Sequence, residues 1–287
     1  MKLGISTFGF FDRIGVYETL KIIKNAGFDC VDFGFGKFGE TFGMLDGDHV
    51  GRAVEVRKYI DELGLECEQT HAPYAMLYGE SFDASAENYL KIVRSMEFSA
   101  ILGAEYIVVH PIVVPKESGE SEWFYNQLFY KSLETYCERF GIKIAVENMF
   151  HTDPKRNRLQ GRLNTPEELC RFIRELDSPN FVACFDVGHA ALTGLEPEDF
   201  LAGMERNLLK VIHVHDCDYQ GDRHTLPYLG KINWDAVMRE LKKLDYDGAM
   251  NFEIFRYVKR IPEDLLDDAL QLSIKVGKRL VNIFECS

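Results

Sequence analysis

The amino-acid sequence predicts an α/β chain folded as one (β/α)8 TIM barrel, a single domain over residues 1–287. Three observations carry that expectation. Short apolar runs alternate with amphipathic stretches at a spacing of roughly 30 to 40 residues, the size of one strand-and-helix unit. The alternation continues for eight rounds without a linker, a low-complexity segment or a shift in composition. That continuity favours a closed ring over an open sheet with a second domain. Finally, most of the apolar runs stop on ionisable side chains, and barrels of this class carry their chemistry at the C-terminal ends of their strands.

Taken in order, the first strand (3–7) leads to a helix over 16–26 whose apolar positions recur at helical spacing. Strand 29–34 precedes helix 48–63, strand 65–70 precedes helix 85–102, and strand 105–110 precedes helix 122–140. Strand 142–147 is followed by a helix over 165–177, announced by Thr165-Pro166-Glu167-Glu168. That string supplies a hydroxyl N-cap, a proline at the first helical position and a capping-box glutamate. Strand 180–185 and helix 196–207 (opened by Pro197) come next, then strand 209–214 with helix 233–245, then strand 248–254 with helix 263–284 (opened by Pro262). Gly27, Gly64, Gly103, Gly141 and Gly248 stand just ahead of strands, where left-handed residues close helices.

With 46% hydrophobic and 13% aromatic residues the chain has material for a large core. A net charge of −13 weighs against nucleic acid as a partner, because phosphate neutralisation needs a local excess of Lys and Arg. Seven scattered cysteines with no CxxC pair read as reduced core residues of a cytoplasmic protein. The opening MKLGIST enters a strand pattern without a signal-peptide signature, and no apolar run approaches membrane-spanning length.

The strand-end residues are His71, His110, Glu147, Asp186, His213 with His215, and Glu253; His189 follows Asp186 by three. Ionisable groups are costly at buried strand ends, so their recurrence along the whole chain points to one shared site. Glu147, Asp186, His213 and Glu253 end the last four strands. Three carboxylates and one imidazole suit a divalent cation such as Mn2+, Zn2+, Co2+ or Mg2+, with one ion expected. His71, His110, His189, Asp222 and His224 form a second group, either further ligands for up to three ions or contacts to substrate hydroxyls. His215 shares the strand face of His213 and is expected to orient it. His49 and His151 read as surface residues. Phe8, Phe33, Tyr74 and Phe150 are among the aromatics that could wall a pocket above the cation.

Two further strings have simpler readings. Gly34-Phe-Gly-Lys-Phe-Gly39 matches GxGxxG, but no helix opens at once behind it, so it is expected to be a βα loop. The stretch 151–163 carries Lys155, Arg156, Arg158 and Arg162 against the single acid Asp153 and reads as an exposed, solvated loop, with a cationic lid as the functional alternative.

At this point the chain resembles the xylose-isomerase-like TIM-barrel superfamily, which holds sugar (phosphate) isomerases and epimerases and the family 2 AP endonucleases. The resemblance rests on Thr70-His-Ala-Pro-Tyr74, Val109-His-Pro111, Val146-Glu-Asn148, Phe185-Asp-Val-Gly-His189, Ile212-His-Val-His-Asp216, Asp222-Arg-His224, Leu229-Gly-Lys-Ile-Asn-Trp234 and Phe252-Glu253. It implies one metal held by Glu147, Asp186, His213 and Glu253, the two glutamates acting as an acid/base pair, and His189 touching a substrate oxygen. The endonucleases' larger set, three zinc ions on nine ligands, also finds matching residue types at His71, His110, Glu147, Asp186, His189, His213, Asp222, His224 and Glu253. The passage from Leu229 to Glu253 looks like that of the sugar enzymes, and the first strand end lacks the glycine-rich DNA-probing loop of the endonucleases. An arginine that some ketose epimerases carry six residues after the metal histidine is Tyr219 here, leaving Arg223 as a candidate substitute.

The expectation is therefore a metal-dependent isomerase or epimerase of a small sugar, polyol or sugar phosphate. It would abstract a proton next to a metal-chelated carbonyl and pass through an ene-diolate. The alternative is a multinuclear-zinc phosphoester hydrolase. The partner expected is a small carbohydrate, and a homo-oligomer is left open.

Overall fold

The computed structural model describes residues 1–36, 43–73, 86–112, 119–153 and 158–287. The ring begins with β1 (Leu3–Ser6), β2 (Cys30–Gly34), β3 (Glu66–His71), β4 (Tyr106–Val109) and β5 (Lys143–Glu147). An outlying pair, β6 (Met149–Asp153) and β7 (Arg158–Arg162), intervenes before β8 (Phe181–Asp186), β9 (Leu209–Val214) and β10 (Met250–Phe252). The eight ring strands are parallel throughout, and β10 closes the barrel on β1 with Leu3 opposite Met250. The (β/α)8 expectation is met.

Helices cover the ring in the same order. α1 (Phe11–Ile14) and α2 (Val16–Ala26) follow β1, α3 (His49–Leu63) follows β2, α4 (Glu87–Leu102) follows β3, and α5 (Gly119–Phe140) follows β4. α6 (Pro166–Glu175) comes after the outlying pair; α7 (Val187–Leu192) and α8 (Pro197–Ala202) follow β8. α9 (Trp234–Lys243) follows β9, and α10 (Phe255–Val258) and α11 (Leu266–Cys286) follow β10. The caps match the sequence chemistry: the Thr165 hydroxyl accepts from the Glu168 amide ahead of Pro166, and Asp48 and Asn233 cap α3 and α9. Among the described residues no helix is long and apolar enough to cross a membrane.

Strand alternation sorts the two faces. Ile144 and Val146, Ala183 and Phe185, and Ile212 and Val214 belong to the main apolar layer between strands and helices. Each large side chain fully buried there contributes about 1.5–3 kcal/mol. The residues between them, Ala145, Val182, Cys184 and Val211, form a smaller cluster inside the ring. Continued by two, that inner series reaches Glu147, Asp186 and His213, so the pleat itself aims these side chains into the barrel mouth.

Several local expectations need correction. The stretch after β5 is not all loop: Met149–Asp153 and Arg158–Arg162 pair as antiparallel strands, with Met149 opposite Arg162 and Asp153 opposite Arg158. Arg162 forms an ion pair with Glu122 of α5, and both side chains are largely buried, so this charge has an internal partner. α7 was not expected. It forms because the Asp186 carboxylate accepts from the His189 amide and caps it, while Val187–Leu192 are all buried. Gly27, Gly64, Gly103 and Gly141 take positive φ, but Gly248 does not; there the missing Cβ makes room for the Tyr246 phenol and the Lys210 carbonyl. Within the GxGxxG string residues 37–39 lie outside the described residues, as do Tyr74, Lys155 and Arg156.

Candidate metal and active site

The last inward residues of β5, β8 and β9 are Glu147, Asp186 and His213; Glu253, just past β10, follows Asn251 in the same alternation. One ligand atom of each lies within 4.8 Å of the other three. His213 Nδ1 stands 3.2 Å from Glu147 Oε1, 3.6 Å from Glu253 Oε2 and 3.9 Å from Asp186 Oδ2. All four residues are buried. Two buried oxygens, Asp186 Oδ2 and Glu253 Oε1, have no hydrogen-bond partner among the described residues.

The electrostatics of the four residues are set by burial and by their charges on one another. Burial, reinforced by Glu147 and Asp186, pushes the Glu253 carboxyl well above the usual range despite His213 nearby. Burial also works against the charge of Glu147, but the His110 and His213 imidazoles outweigh it and hold that carboxyl well below the usual range. For His213 the surrounding anions overcome burial and raise it well above its ordinary value. Excess buried negative charge, unpartnered carboxylate oxygens and an O3N donor set together fit a divalent cation of the Mn2+, Zn2+, Co2+ or Mg2+ kind.

A buried polar chain sits behind His213. Its Nε2 lies 3.3 Å from Asp32 Oδ2, the Gln69 amide donates to the same oxygen at 3.2 Å, and the Asn251 amide donates to Gln69 Oε1. A carboxylate behind a ligand imidazole fixes the ring and raises its basicity. Asp32 was missed in the sequence. Its signal is an acid in the middle of a buried strand, Cys-Val-Asp-Phe-Gly, where only a partnered carboxylate is tolerated.

The second group also converges. His110 Nε2 is 2.8 Å from Glu147 Oε2, and His71 Nε2 is 3.0 Å from His110 Nε2 and 3.7 Å from Glu147 Oε2. Burial pushes the His110 and His224 imidazoles down to about 4, which leaves them neutral. His189, His215, Asp222 and His224 form a further set with ligand atoms within 4.8 Å of one another. Three histidines are pre-oriented by backbone carbonyls: His71 Nδ1 on Ala72 (2.8 Å), His189 Nδ1 on Asn148 (3.0 Å) and His224 Nδ1 on Glu253 (2.9 Å). A carbonyl only accepts, so in His71 and His189 Nδ1 carries the proton and Nε2 is left as the acceptor or ligand atom, whereas His224 faces acceptors on both sides, its Nε2 lying 2.9 Å from Asp222 Oδ1. Phe8 and Phe150 set ring edges against His71 and His189 at centroid distances of 5.4 and 5.0 Å, whereas Phe33 is buried in the outer core against Phe98.

His215 lies on the expected face but acts on a different residue. Its Nε2 is 3.0 Å from Asp186 Oδ1, which also accepts from the His189 amide at 2.7 Å. The Asp186 charge holds His215 up at about 9 against burial. With Oδ1 so occupied, Oδ2 is the atom Asp186 turns to the cluster. Gly188 admits the His215 ring, since a Cβ there would overlap its Cε1. Beside it Asp216 anchors the segment between β9 and α9, accepting from the amides of Cys217 (2.8 Å), Ile232 (3.2 Å) and Tyr228 (2.8 Å) and from Trp234 Nε1 (2.8 Å). That segment carries Asp222 and His224.

Not every candidate joins the cluster. Arg223 is half exposed, with Nε and one terminal nitrogen each 3.0 Å from Asp218 Oδ2. His49 is not a surface residue: it is half-buried, with Nε2 2.9 Å from Glu97 Oε2, because the first turn of α3 packs against α4. The His151 side chain lies outside the described residues.

A family model described as xylose isomerase-like TIM barrel matches residues 20–276. An uncharacterised protein of Methanocaldococcus jannaschii is 29% identical over 264 residues, covering 88% of this chain and 83% of its own. Inosose isomerase of Bacillus velezensis is 24% identical over 183 residues, 61% of this chain and 62% of its own. Among solved structures, a D-tagatose 3-epimerase-like protein superposes with a TM-score of 0.77 at 24% identity, covering 99% of this chain and 98% of its own. The IolI protein with a bound zinc atom gives 0.74 at 17% identity, with 99% and 98% covered. Similarity at these identities to solved structures establishes the fold, and the family match over most of the chain establishes membership: this protein belongs to the xylose isomerase-like TIM-barrel family.

Proposed function

We propose that the protein is a metal-dependent isomerase or epimerase of a small sugar, polyol or sugar phosphate. The observation that carries the reading is the pair of buried glutamates, Glu147 and Glu253, in one four-donor cluster but on strands separated in the ring by β8 and β9. The sugar epimerases and isomerases among the structural neighbours support it. Glu147, Asp186, His213 and Glu253 would hold the cation, which would supply Lewis acidity to a substrate carbonyl oxygen and so acidify the carbon-bound proton beside it. Approaching the substrate from different sides, one glutamate takes that proton and the other returns it. Epimerisation needs both; aldose–ketose isomerisation can use one. Asp32 keeps the His213 ring in place, and His215 keeps Asp186 turned by one oxygen to the cluster. His71, His110 and His189 would grip substrate hydroxyls.

A second reading, metal-assisted phosphoester hydrolysis on a multinuclear zinc centre, is favoured by one observation: His71 and His189 each present Nε2 with Nδ1 anchored on a carbonyl, the arrangement of metal-binding imidazoles. The two readings separate in one experiment. Ketoses, aldoses and their phosphates are incubated with the protein and Mn2+, Co2+ or Zn2+ and followed by NMR, beside an abasic DNA duplex and a metal count. Sugar interconversion with about one ion per chain supports the first reading. Duplex cleavage with about three zinc ions, and no sugar turnover, replaces it with the second.

A further inference from the structure

Outside the metal cluster, one of the cavities formed by the described residues that run against the acidic character of the chain lies beside the barrel mouth. It measures about 270 Å³, lies between the segment after β9 and helix α10, and is lined by Arg223, Arg256 and Arg260 with Thr225 and Tyr257. The protein as a whole carries −13, so three guanidinium groups around one small cavity mark a local reversal of sign. Asp218 also lines the cavity and pairs with Arg223 at 3.0 Å; Arg256 is 3.6 Å from Asp222 Oδ2. Arg260 forms no ion pair with a described residue. Two of the arginines are therefore held in place by acids, and the third keeps its full charge for a ligand. Guanidinium groups match phosphate and carboxylate oxygens in paired hydrogen bonds, and the volume suits one compact anionic group rather than a whole cofactor.

The cavity is also near the chemistry. Its lining residues follow the C-terminal ends of β9 and β10, where Arg256 lies 3.6 Å from Asp222 Oδ2, Asp222 Oδ1 lies 2.9 Å from His224 Nε2, and His224 Nδ1 lies 3.4 Å from Glu253 Oε2. Two side chains thus separate the arginines from a glutamate of the cluster. We propose that Arg223, Arg256 and Arg260 form an anion subsite, which takes the phosphate of a phosphorylated sugar whose carbonyl end reaches Glu147 and Glu253. This rests on the isomerase or epimerase reading and narrows its substrate to the anionic members of the class.

The test compares the metal-loaded wild type with Arg260→Ala and Arg260→Lys. Two readouts are used: kcat/KM for a ketose phosphate relative to the same neutral ketose, and binding of inorganic phosphate by calorimetry. The expected result is a wild-type preference for the phosphorylated ketose that falls about tenfold or more in Arg260→Ala and partly returns in Arg260→Lys, with phosphate binding weakened in parallel. Equal use of both ketoses, with phosphate binding unaffected by Arg260→Ala, overturns the subsite and leaves the isomerase reading intact. No proton exchange on any sugar, with phosphate binding still dependent on Arg260, removes the isomerase reading while the subsite stands as a site for free phosphate.

Discussion

Asp216→Asn removes one oxygen and one charge from the point on which the β9–α9 segment turns. The carboxylate accepts four N–H groups, two on each oxygen. An amide can serve only one such pair, and its own NH2 group then points at the two remaining donors. Hydrogen bonds to a charged acceptor contribute about 1.5–3 kcal/mol each, so losing two costs about 3–6 kcal/mol. Unfolding entropy of about 2.1 cal/mol/K per residue over 287 residues is about 0.6 kcal/mol/K. The melting temperature should therefore fall by about 5–10 °C. Scanning calorimetry reads that shift, and amide hydrogen exchange should show the loss concentrated in residues 217–233, with Asp222 and His224 loosened. A variant that melts within 1 °C of wild type, with unchanged exchange in that segment, would show that Asp216 does not hold it.

Three further outcomes follow from other contacts. His215→Ala leaves Asp186 Oδ1 with only the His189 amide, and Gly188→Ala displaces the same ring; each should weaken cation binding by about 10–100-fold in a Mn2+ titration, and unchanged affinity in both would refute the positioning of Asp186 by His215. Glu253 and His213 both hold protons more tightly than usual, so cation binding must displace them: affinity should rise with pH and fall in acid, with proton release detected by calorimetry in buffers of different ionisation enthalpy. A pH-independent affinity with no proton released would contradict that charge balance. Arg162→Ala strands the largely buried Glu122 and should destabilise the fold by about 3 kcal/mol in urea, whereas an effect below about 0.5 kcal/mol would mean that solvent already screens the pair.

The barrel was legible in the sequence because each strand carries two periodic signals at once. In β8, Val182 and Cys184 lead by twos to Asp186, and in β9 Val211 leads to His213, so both the strand and its polar stop could be read from one pattern. Asp32 escaped because it sits inside its strand rather than at the end, where a single acid in an apolar run carries no spacing to another ligand. α7 escaped because Asp186 serves both as a cluster residue and as a helix N-cap, and Val-Gly-His-Ala-Ala-Leu is too short and too uniformly apolar to show a helical period. The antiparallel strand pair after β5 was hidden by its charge: four basic residues suggested solvation, but the partner that buries Arg162 is on α5, 40 residues earlier in the chain. Tertiary pairing of that kind leaves no local trace. The same holds for His215, whose partner Asp186 is 29 residues away across neighbouring strands.

Glu147 and Glu253 are proposed to move a carbon-bound proton at a cation site, and solvent isotope exchange tests this most directly. The metal-loaded protein is incubated in D2O with a responsive ketose or ketose phosphate and followed by NMR. Deuterium should enter the C–H position beside the carbonyl with the wild type. The signal should fall by at least about 100-fold in Glu253→Gln, under conditions in which the variant still binds the cation. Product formed with no solvent deuterium, or a Glu253→Gln variant exchanging at the wild-type rate with metal bound, would contradict the two-glutamate mechanism.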